Sequence, residues 1–525
     1  MTSVASNAAA AGSPSQPAFG PRLAIGLFGV LIAAMLAGLN SRIPSLVLAD
    51  LRGALGFSLD DASWLTTAYS AGELVAMPFA TWFAVAFSIR RFHLTMLFSS
   101  LLLSLIMPYV HDLHLLLCLR FLHGMLGGAL VPVLMMACLR FLPAPIRLYG
   151  LAIFALVATF SPNIALWLAA QWVDRLEDWR WVYWHVVPLG LVAAALVAWG
   201  IPEMPLALSR LTQANWFGMV LGIPGLMLLV IGVDQGVRLD WLQSPLIVAA
   251  LVAGSVLTAL FLASEWRHPE PFVRLQLLAR RNIWLGFICF ALLLMVMATG
   301  VTLPANLMAN LQGFRMEQSE SLGLSVGLPQ LILGPGVALL LYRRWVDARH
   351  VFVVGLVCIA IANWLASDIT DEWVVRQFLW TQVLHAVGQP LAIVPLLFLI
   401  TSIVQPAEGP FVSGLVNILR VFSATLGSAV IGQLTAIRSR FHSDMLLDNA
   451  GQLLARLPSS DPGWESLNSV VAQQSNVLAA ADIYRVFAIV SLLMIPLVLK
   501  LQHIPAPVLT PARPSHPMPQ RQPTP

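Results

Sequence analysis

Charged residues are scarce in this chain. Only 10% of its 525 residues are charged, and lysine occurs once, as Lys500, whereas soluble domains carry about a quarter charged residues. Because 58% of the residues are hydrophobic, no soluble core could hide the apolar surface. The arginines are dispersed between hydrophobic runs and form no basic surface, which excludes a nucleic-acid partner. The composition therefore predicts that a lipid bilayer is the solvent of this chain.

Patterns that carry enzyme chemistry are also lacking. The four cysteines fall singly inside apolar runs, without the CxxC spacing of a metal site; they are Cys118, Cys138, Cys289 and Cys358. No GxxxxGK[ST] sequence is present, so we expect no ATP-driven cycle. The GxSxG pattern around Ser325 lies in an apolar run with no strand before it, which is not the setting of a hydrolase nucleophile. We predict no enzyme activity, no cofactor and no metal ion.

Long hydrophobic runs are what the chain has in abundance. Runs of about 20 apolar residues recur from residue 22 to residue 502, and each can cross a hydrocarbon layer of about 30 Å. Because an isolated segment in lipid satisfies its backbone hydrogen bonds only as a helix, we predict an all-α integral membrane protein. Windows of about 19 residues predict about fourteen spans. These lie near residues 22–48, 64–87, 93–110, 114–139, 147–172, 181–201, 214–234, 244–265, 283–307, 321–342, 349–366, 377–403, 410–435 and 482–502.

The basic residues between the spans predict an orientation. With both termini in the cytoplasm, about sixteen basic residues fall on the inner side and about ten on the outer side, as the positive-inside rule requires. In this orientation, residues 437–481 are predicted to form a polar extracytoplasmic loop. Residues 1–21 and the Pro-rich residues 503–525 are expected to be disordered cytoplasmic tails.

Three motifs give the chain a family resemblance. The fourth span, LRFLHGMLGGALVP, contains an arginine followed by spaced glycines and a proline, which are Arg120, Gly124, Gly128 and Pro132. The segment DWRWVYWHVVPLG after the fifth span supplies Trp179, Trp181, Pro188 and Gly190. Span thirteen supplies Asn417, Arg420 and Gly427. Together these segments resemble the major facilitator superfamily, specifically its fourteen-span drug:proton antiporters of the EmrB/QacA type.

The resemblance implies a fold and a function. It implies a major facilitator fold with two six-helix bundles, at 22–201 and 266–502, and two additional transmembrane helices at 202–265. It implies secondary active transport by alternating access, with proton-coupled efflux of drugs or other small organic molecules. It also implies a bacterial inner membrane, and it admits a periplasmic adaptor and an outer-membrane channel as partners.

Some segments depart from the family pattern and leave other functions open. The inner loop TWFAVAFSIRRF keeps Arg90 and Arg91 but lacks the acidic residue, and the antiporter motif of span five is replaced by LWLAA. Asn40 stands where span one usually has an acid. One alternative is therefore an organic-anion transporter without the usual proton coupling. Another is a transport-inactive membrane sensor or scaffold.

Charged side chains inside the spans are the candidates for proton coupling. Glu73 is the only acidic residue well inside a predicted span, where a carboxylate is costly enough to indicate function. It could take up and release a proton as its wetting or its pairing with an arginine changes. Arg42 and Arg120 should lie at similar depth. The three side chains then form either a static ion-paired layer or a site where an arginine attracts an anionic substrate.

Polar side chains in other spans are the candidates for a substrate cavity. They are Asn40, Asn417, Arg420, Gln382 and His385. A cation such as Arg420 near the middle of a span needs a carbonyl, an acid, water or a substrate beside it. A single polar residue on a helix can equally serve as a contact between helices, and His385 could titrate. The motif glycines are expected to let helices pack closely.

Overall fold

The structure is a computed structural model that describes residues 19–454 and 463–507. Every regular element in these two ranges is helical. The first elements are α1 (Pro21–Leu46), α2 (Leu48–Leu55), α3 (Leu59–Ala86), α4 (Ile89–Ile106), α5 (Leu113–Phe141), α6 (Arg147–Ala170), α7 (Trp181–Trp184) and α8 (Val186–Gly200). There follow α9 (Trp216–Asp234), α10 (Pro245–Arg267), α11 (Arg281–Met297), α12 (Thr302–Gln312), α13 (Met316–Leu341), α14 (Ala348–Ala366), α15 (Leu379–Thr401), α16 (Gly409–Leu454) and α17 (Gly463–Leu499).

The helices form two halves that meet mainly along two helix pairs. Helix α6 packs along α13, and α3 packs along α16. These contacts, with the smaller ones of α5 with α16 and of α6 with α15, are here called the seam and join helices of the first half, α1–α8, to helices of the second half, α11–α17. Helices α9 and α10 pack on each other, and α9 also contacts α3 and α16.

The predicted all-α membrane fold is confirmed. Thirteen helical stretches within the described ranges are long and apolar enough to cross a bilayer. Helix α3, which has 28 residues, is not among them because polar side chains such as Glu73 lower its hydropathy. It nevertheless packs inside the bundle against α5 and α16. A long helical stretch therefore corresponds to each of the predicted spans.

The predicted polar loop at 437–481 is wrong for the part that the structure describes. Helix α16 continues to Leu454 and α17 already begins at Gly463. An ion pair and a hydrogen bond hold this extension together, since Arg438 and His442 lie 2.6 Å and 2.7 Å from a carboxylate oxygen of Asp482. The segment is polar because it lies beyond the lipid, where water contacts the surface of the helix. Residues 455–462 lie outside the described ranges, as do 1–18 and 508–525 of the predicted tails.

The bundle has two ends, here called the near face and the far face. The near face is the one where α1 begins at Pro21, and the far face is the one where α1 ends at Leu46. Helix α16 starts at the near face. Its 46 residues extend about 69 Å at 1.5 Å per residue, about twice the hydrocarbon thickness. The extension of α16 and α17 therefore projects beyond the membrane on the far face.

The motif glycines let α3 and α5 approach until their backbones touch. A Cβ at Gly124 would collide with the carbonyl oxygen of Tyr69, and one at Gly128 with the carbonyl oxygen of Glu73. Gly72 makes the reciprocal contact, against the carbonyl oxygen of Phe121. Since no backbone atom can move aside cheaply, only glycine fits at these positions. The contact fixes the position of α3, and with it Glu73, relative to α5.

We predict that Gly128→Val destabilises the protein, by about 1–3 kcal/mol as for other overpacked contacts. The reason is that the new side chain forces α3 away from α5. Gly336→Val in α13 is the matched control, because nothing lies within 4 Å of a Cβ at Gly336. Thermal unfolding in detergent measures both variants. Equal melting temperatures would contradict the close contact.

Candidate functional site

A polar cavity lies between the two halves. It has two adjoining compartments of about 110 Å³ and 160 Å³. Both compartments are lined by Arg42, Ser45, Pro162, Arg420, Ala424 and Ser428. Further lining residues come from α3, α9, α11, α12 and α15, so both halves build the walls. A solute in this central cavity would contact both halves at once.

An ion pair crosses the seam at the wall of this cavity. Nη2 of Arg420, on α16, lies 3.0 Å from Oε1 of Glu73, on α3. Ser41 donates a hydrogen bond of 3.1 Å to the other carboxylate oxygen. Asn417 orients the arginine by accepting a 3.3 Å hydrogen bond from its Nε. Glu73 is 3% exposed, so the carboxylate is held by protein groups at the edge of the cavity.

Arg42 adds a second cation to the cavity. It lines both compartments and lies within electrostatic reach of Glu73 and Arg420. No carboxylate lies within ion-pair distance of Arg42 in residues 19–454 and 463–507. Asp234 of α9 also lines the cavity, but it accepts a hydrogen bond from Thr67. The Arg42 guanidinium is therefore free to attract a negatively charged group from the cavity.

The central cavity opens at the far face. Three of its lining side chains are exposed, namely Ser45, Thr302 and Ser428. Ser45 lies next to the far end of α1, and Thr302 begins α12 after α11 has ended. The opening lies between α1 of the first half and α12 and α16 of the second.

The near face is closed by contacts across the seam. Ser413 donates a 2.6 Å hydrogen bond to the carbonyl oxygen of Pro132. The Tyr342 hydroxyl donates one of 2.5 Å to the carbonyl oxygen of Pro145. A Cβ at Gly409 would lie 3.4 Å from Cβ of Leu139. With the near face sealed and the far face open, the structure is a far-face-open state.

Ion pairs at the far face link α2 and the turn after α6 to α13 and the residue before it. Arg315 lies 2.6 Å from Asp174 and 3.3 Å from Asp50, and Arg175 lies 2.6 Å from Glu320. The hydrogen bond to Asp174 raises the pKa of Arg315 above its ordinary value and keeps it charged. Exposed pairs contribute little each.

Arg120 does not join the expected charged layer. The structure brings Glu73 and Arg42 to one cavity but gives Glu73 a different partner, Arg420. Arg120 is buried in the first half, where its guanidinium carbon lies 4.5 Å from the Tyr69 ring centroid and its Nε is 3.5 Å from the Leu65 carbonyl oxygen. Cation–π contact with an aromatic face replaces the carboxylate that sequence reasoning assigned.

Asn40, Gln382 and His385 do not line the central cavity. Asn40 forms a 3.1 Å hydrogen bond with His123 inside the first half. Gln382 donates a 2.8 Å hydrogen bond to the carbonyl oxygen of Gly300, in the turn between α11 and α12. His385 is buried beside the same glycine. These side chains hold helices together, which is the alternative that the sequence left open for them.

The tryptophans and the proline of the DWRWVYWHVVPLG segment lie at the periphery. Trp181 stacks on Trp172 with ring centroids 5.4 Å apart, and Trp179 is partly buried against the apolar core. Pro188 is exposed on α8. None of these residues reaches the central cavity. Their contacts fit an anchoring role at the far-face interface.

Sequence reasoning missed two polar contacts at the cavity. Asn163 of α6 donates a 3.1 Å hydrogen bond to Gln389 of α15, across the two halves. Asp234 and Thr67 join α9 to α3. Asp234 stands at the very end of a predicted span, so its position along the chain suggested an interfacial residue. Asn163 is a lone amide in an apolar run, and only the fold shows its partner.

A larger cavity lies elsewhere and has a different character. It measures about 770 Å³ and is lined by α3, α4, α5 and α9. Its walls are mostly apolar and include the exposed Leu102 and Leu122. It therefore opens towards the lipid. Few polar groups are available there to orient a solute, so the central cavity is the better candidate.

Comparisons with known proteins agree with this architecture. The sequence matches the Major Facilitator Superfamily over residues 30–428. It is 23% identical over 494 residues to the fatty acid resistance protein FarB of Neisseria gonorrhoeae, which covers 92% of this chain and 96% of that protein. It is 21% identical over 495 residues to the multidrug export protein EmrB of Escherichia coli strain K12, with the same coverage.

Solved structures share the fold. The human organic anion transporter MFSD10 (TETRAN) aligns with a TM-score of 0.58 and 13% identity, covering 91% of this chain and all of that one. The proton:xylose symporter XylE aligns with a TM-score of 0.55 and 13% identity, covering 93% and 98%. The seam, the cavity between two halves and the family match lead to one conclusion: this chain is a multi-pass membrane transporter that belongs to the Major Facilitator Superfamily and is homologous to multidrug exporters of the EmrB type.

Proposed function

We propose that this transporter exports small organic molecules in exchange for protons, by alternating access of the central cavity to the two faces. The observation that carries the proposal is the Glu73–Arg420 pair. It joins the two halves directly at the cavity. When the halves rock about the seam, this distance must change. Protonation of Glu73 and the conformational equilibrium of the transporter are therefore coupled.

The size of the effect is suitable for a switch. Removing one partner from a buried ion pair costs about 3–5 kcal/mol. Moving a two-state equilibrium from 1:99 to 99:1 takes about 5.5 kcal/mol. Protonation of Glu73 removes the charge that Arg420 needs, so it shifts the equilibrium towards the state that depends less on the pair.

The sequence of steps follows from the open face. In the far-face-open state, a proton reaches Glu73 through the cavity and weakens its hold on Arg420. The far face then closes and the near face opens, and Glu73 loses its proton there. A substrate loaded from the near face moves in the opposite direction. This cycle is supported by the likeness to EmrB, which is named as a multidrug export protein.

A second candidate is transport of organic anions. Arg42 lines the cavity without a carboxylate partner in the described ranges, and an arginine fork suits a carboxylate ligand. FarB is named for resistance to fatty acids, which are amphiphilic anions. In this alternative Arg42 binds the substrate, and Glu73 and Arg420 remain a structural pair.

We also propose a bacterial inner membrane with the near face in the cytoplasm. The excess of arginine in the loops of the near face supports this orientation. The far-face extension of α16 and α17 would then project into the periplasm. It offers a place for a periplasmic adaptor that leads to an outer-membrane channel.

Glu73→Gln is expected to abolish substrate-driven proton movement in proteoliposomes, because the amide cannot take up or release the proton. Glu372→Gln, at an exposed far-face carboxylate, is the matched control and should keep the parent rate. If Glu73→Gln couples proton movement to substrate transport as strongly as the parent protein does, Glu73 does not carry the proton. If no candidate molecule crosses the membrane even with the parent protein, the result favours the alternative of a transport-inactive sensor or scaffold.

A disulfide across the near face should stop transport. The Cβ distance of 3.4 Å between Leu139 and a residue built at Gly409 is close to the spacing of about 3.8 Å in disulfides. We expect Leu139→Cys/Gly409→Cys, in a chain without the native cysteines, to lose transport on oxidation and regain it on reduction. Leu139→Cys alone should be insensitive. Transport at the parent rate by the cross-linked protein would show that the near face does not open.

Arg42→Gln distinguishes the two substrate classes. If anions bind Arg42, the apparent affinity for an anionic substrate should fall about tenfold, the value of one charged hydrogen bond, while a neutral substrate is unaffected. Arg376→Gln, at an exposed far-face arginine, controls for the general loss of positive charge. Competition assays in proteoliposomes give both affinities. An equal loss for the neutral substrate would indicate a structural role.

A further inference from the structure

A separate cavity at the near face combines positive charge with apolar walls. It measures about 310 Å³ and shares no lining residue with the central cavity. Its walls come from the near ends of α3 and α5, from the α8–α9 connection and from the start of α16. They are Thr81, Trp82, Val85, Arg140, Arg210, Pro406, Ala407, Pro410 and Phe411. The cavity thus bridges the two halves beside the seam.

Two arginines line this cavity, and only one of them has an acidic partner in the part of the chain that the structure describes. Arg140 has no carboxylate within ion-pair distance in those residues. Arg210 lies within electrostatic reach of Arg140 and 3.4 Å from a carboxylate oxygen of Glu270, which does not line the cavity. Glu408, next to the wall residue Ala407, is bound by two hydrogen bonds from Arg280, of 2.7 Å and 2.6 Å. The cavity therefore has an excess of positive charge.

An unsatisfied buried donor belongs to the same cavity. Trp82 is 2% exposed, and its indole N–H has no hydrogen-bond partner. A buried donor without a partner costs about 1–3 kcal/mol. The two arginines and the unpartnered indole N–H favour a ligand that is negatively charged and rich in acceptor oxygens.

We propose that this near-face cavity, lined by Trp82, Arg140, Arg210 and Phe411, binds a phosphate group. A phosphate has enough acceptor oxygens to serve two arginines and an N–H donor together. Val85 and Phe411 provide apolar contacts for whatever carries the phosphate. The carrier is either the headgroup of an anionic phospholipid or a soluble phosphate compound, and both present the same chemistry.

The position of the site gives the ligand a second effect. Trp82 and Arg140 belong to the first half, whereas Phe411 belongs to the second. Opening of the near face would pull these walls apart, so the bound phosphate favours the state in which the near face is closed. This consequence rests on the proposed alternating access. The binding site itself does not.

Thermal unfolding of the purified full-length chain in a neutral detergent tests the site. We expect added phosphatidylglycerol, or inorganic phosphate at matched ionic strength, to raise the melting temperature, whereas phosphatidylcholine does not. A response to the lipid alone identifies a headgroup, and a response to inorganic phosphate identifies a soluble source. Arg140→Gln/Arg210→Gln should lose the response. Arg343→Gln/Arg344→Gln, which removes two exposed near-face charges, should keep it.

Two further measurements separate binding from folding and from transport. Trp82→Phe keeps a six-membered aromatic ring and removes the N–H together with the five-membered ring, so it should weaken the response at least about tenfold, the value of one hydrogen bond to a charged group. The oxidation rate of Leu139→Cys/Gly409→Cys should rise with the effective phosphate compound, because the near face stays closed longer. Neither readout requires transport. The proposal is overturned if phosphatidylglycerol and phosphate both fail to stabilise the parent, or if Arg140→Gln/Arg210→Gln responds as strongly as the parent does.

Discussion

The ion pair between Glu73 and Arg420 is the interaction on which the functional architecture depends. A carboxylate and a guanidinium that are nearly removed from water stabilise the fold only together, since either alone would be an uncompensated charge in the membrane. The pair connects α3 to α16 at the wall of the cavity. The two halves of the protein therefore share one electrostatic bond at the place where a solute would bind.

The packing of each charged residue within its own half defines how that bond can change. Gly72, Gly124 and Gly128 bring α3 against α5 so closely that Glu73 moves with the whole first half. Asn417 orients Arg420 on its own helix, α16. The Glu73 carboxylate therefore cannot leave its partner by a shift of α3 alone. The pair separates only when α16 moves relative to the first half or when the carboxylate is protonated.

Much of this could be predicted from the sequence. The apolar runs determined the all-helical membrane fold, because lipid leaves the backbone no other choice. Glu73 was found because acids are rare inside spans. Its partner was not identified, since Arg420 lies 347 positions away and no spacing rule relates two helices of different halves. Arg120 was assigned to the wrong layer because depth along a helix says nothing about the direction in which a side chain points. Likewise, the polar stretch after span thirteen was mistaken for a loop because its composition reports contact with water and not backbone conformation.

The length of α16 has a mechanical consequence. This helix begins at the near-face cavity, carries Arg420 along the seam, and continues without interruption until it stands clear of the lipid. A continuous α-helix transmits axial and torsional force, so a protein that grips its outer end would act on the charged pair some 50 Å away, at 1.5 Å for each of the residues between. The helix therefore connects its outer end mechanically to the Glu73–Arg420 pair, and in the proposed cycle a force applied outside the membrane acts on the protonation of Glu73.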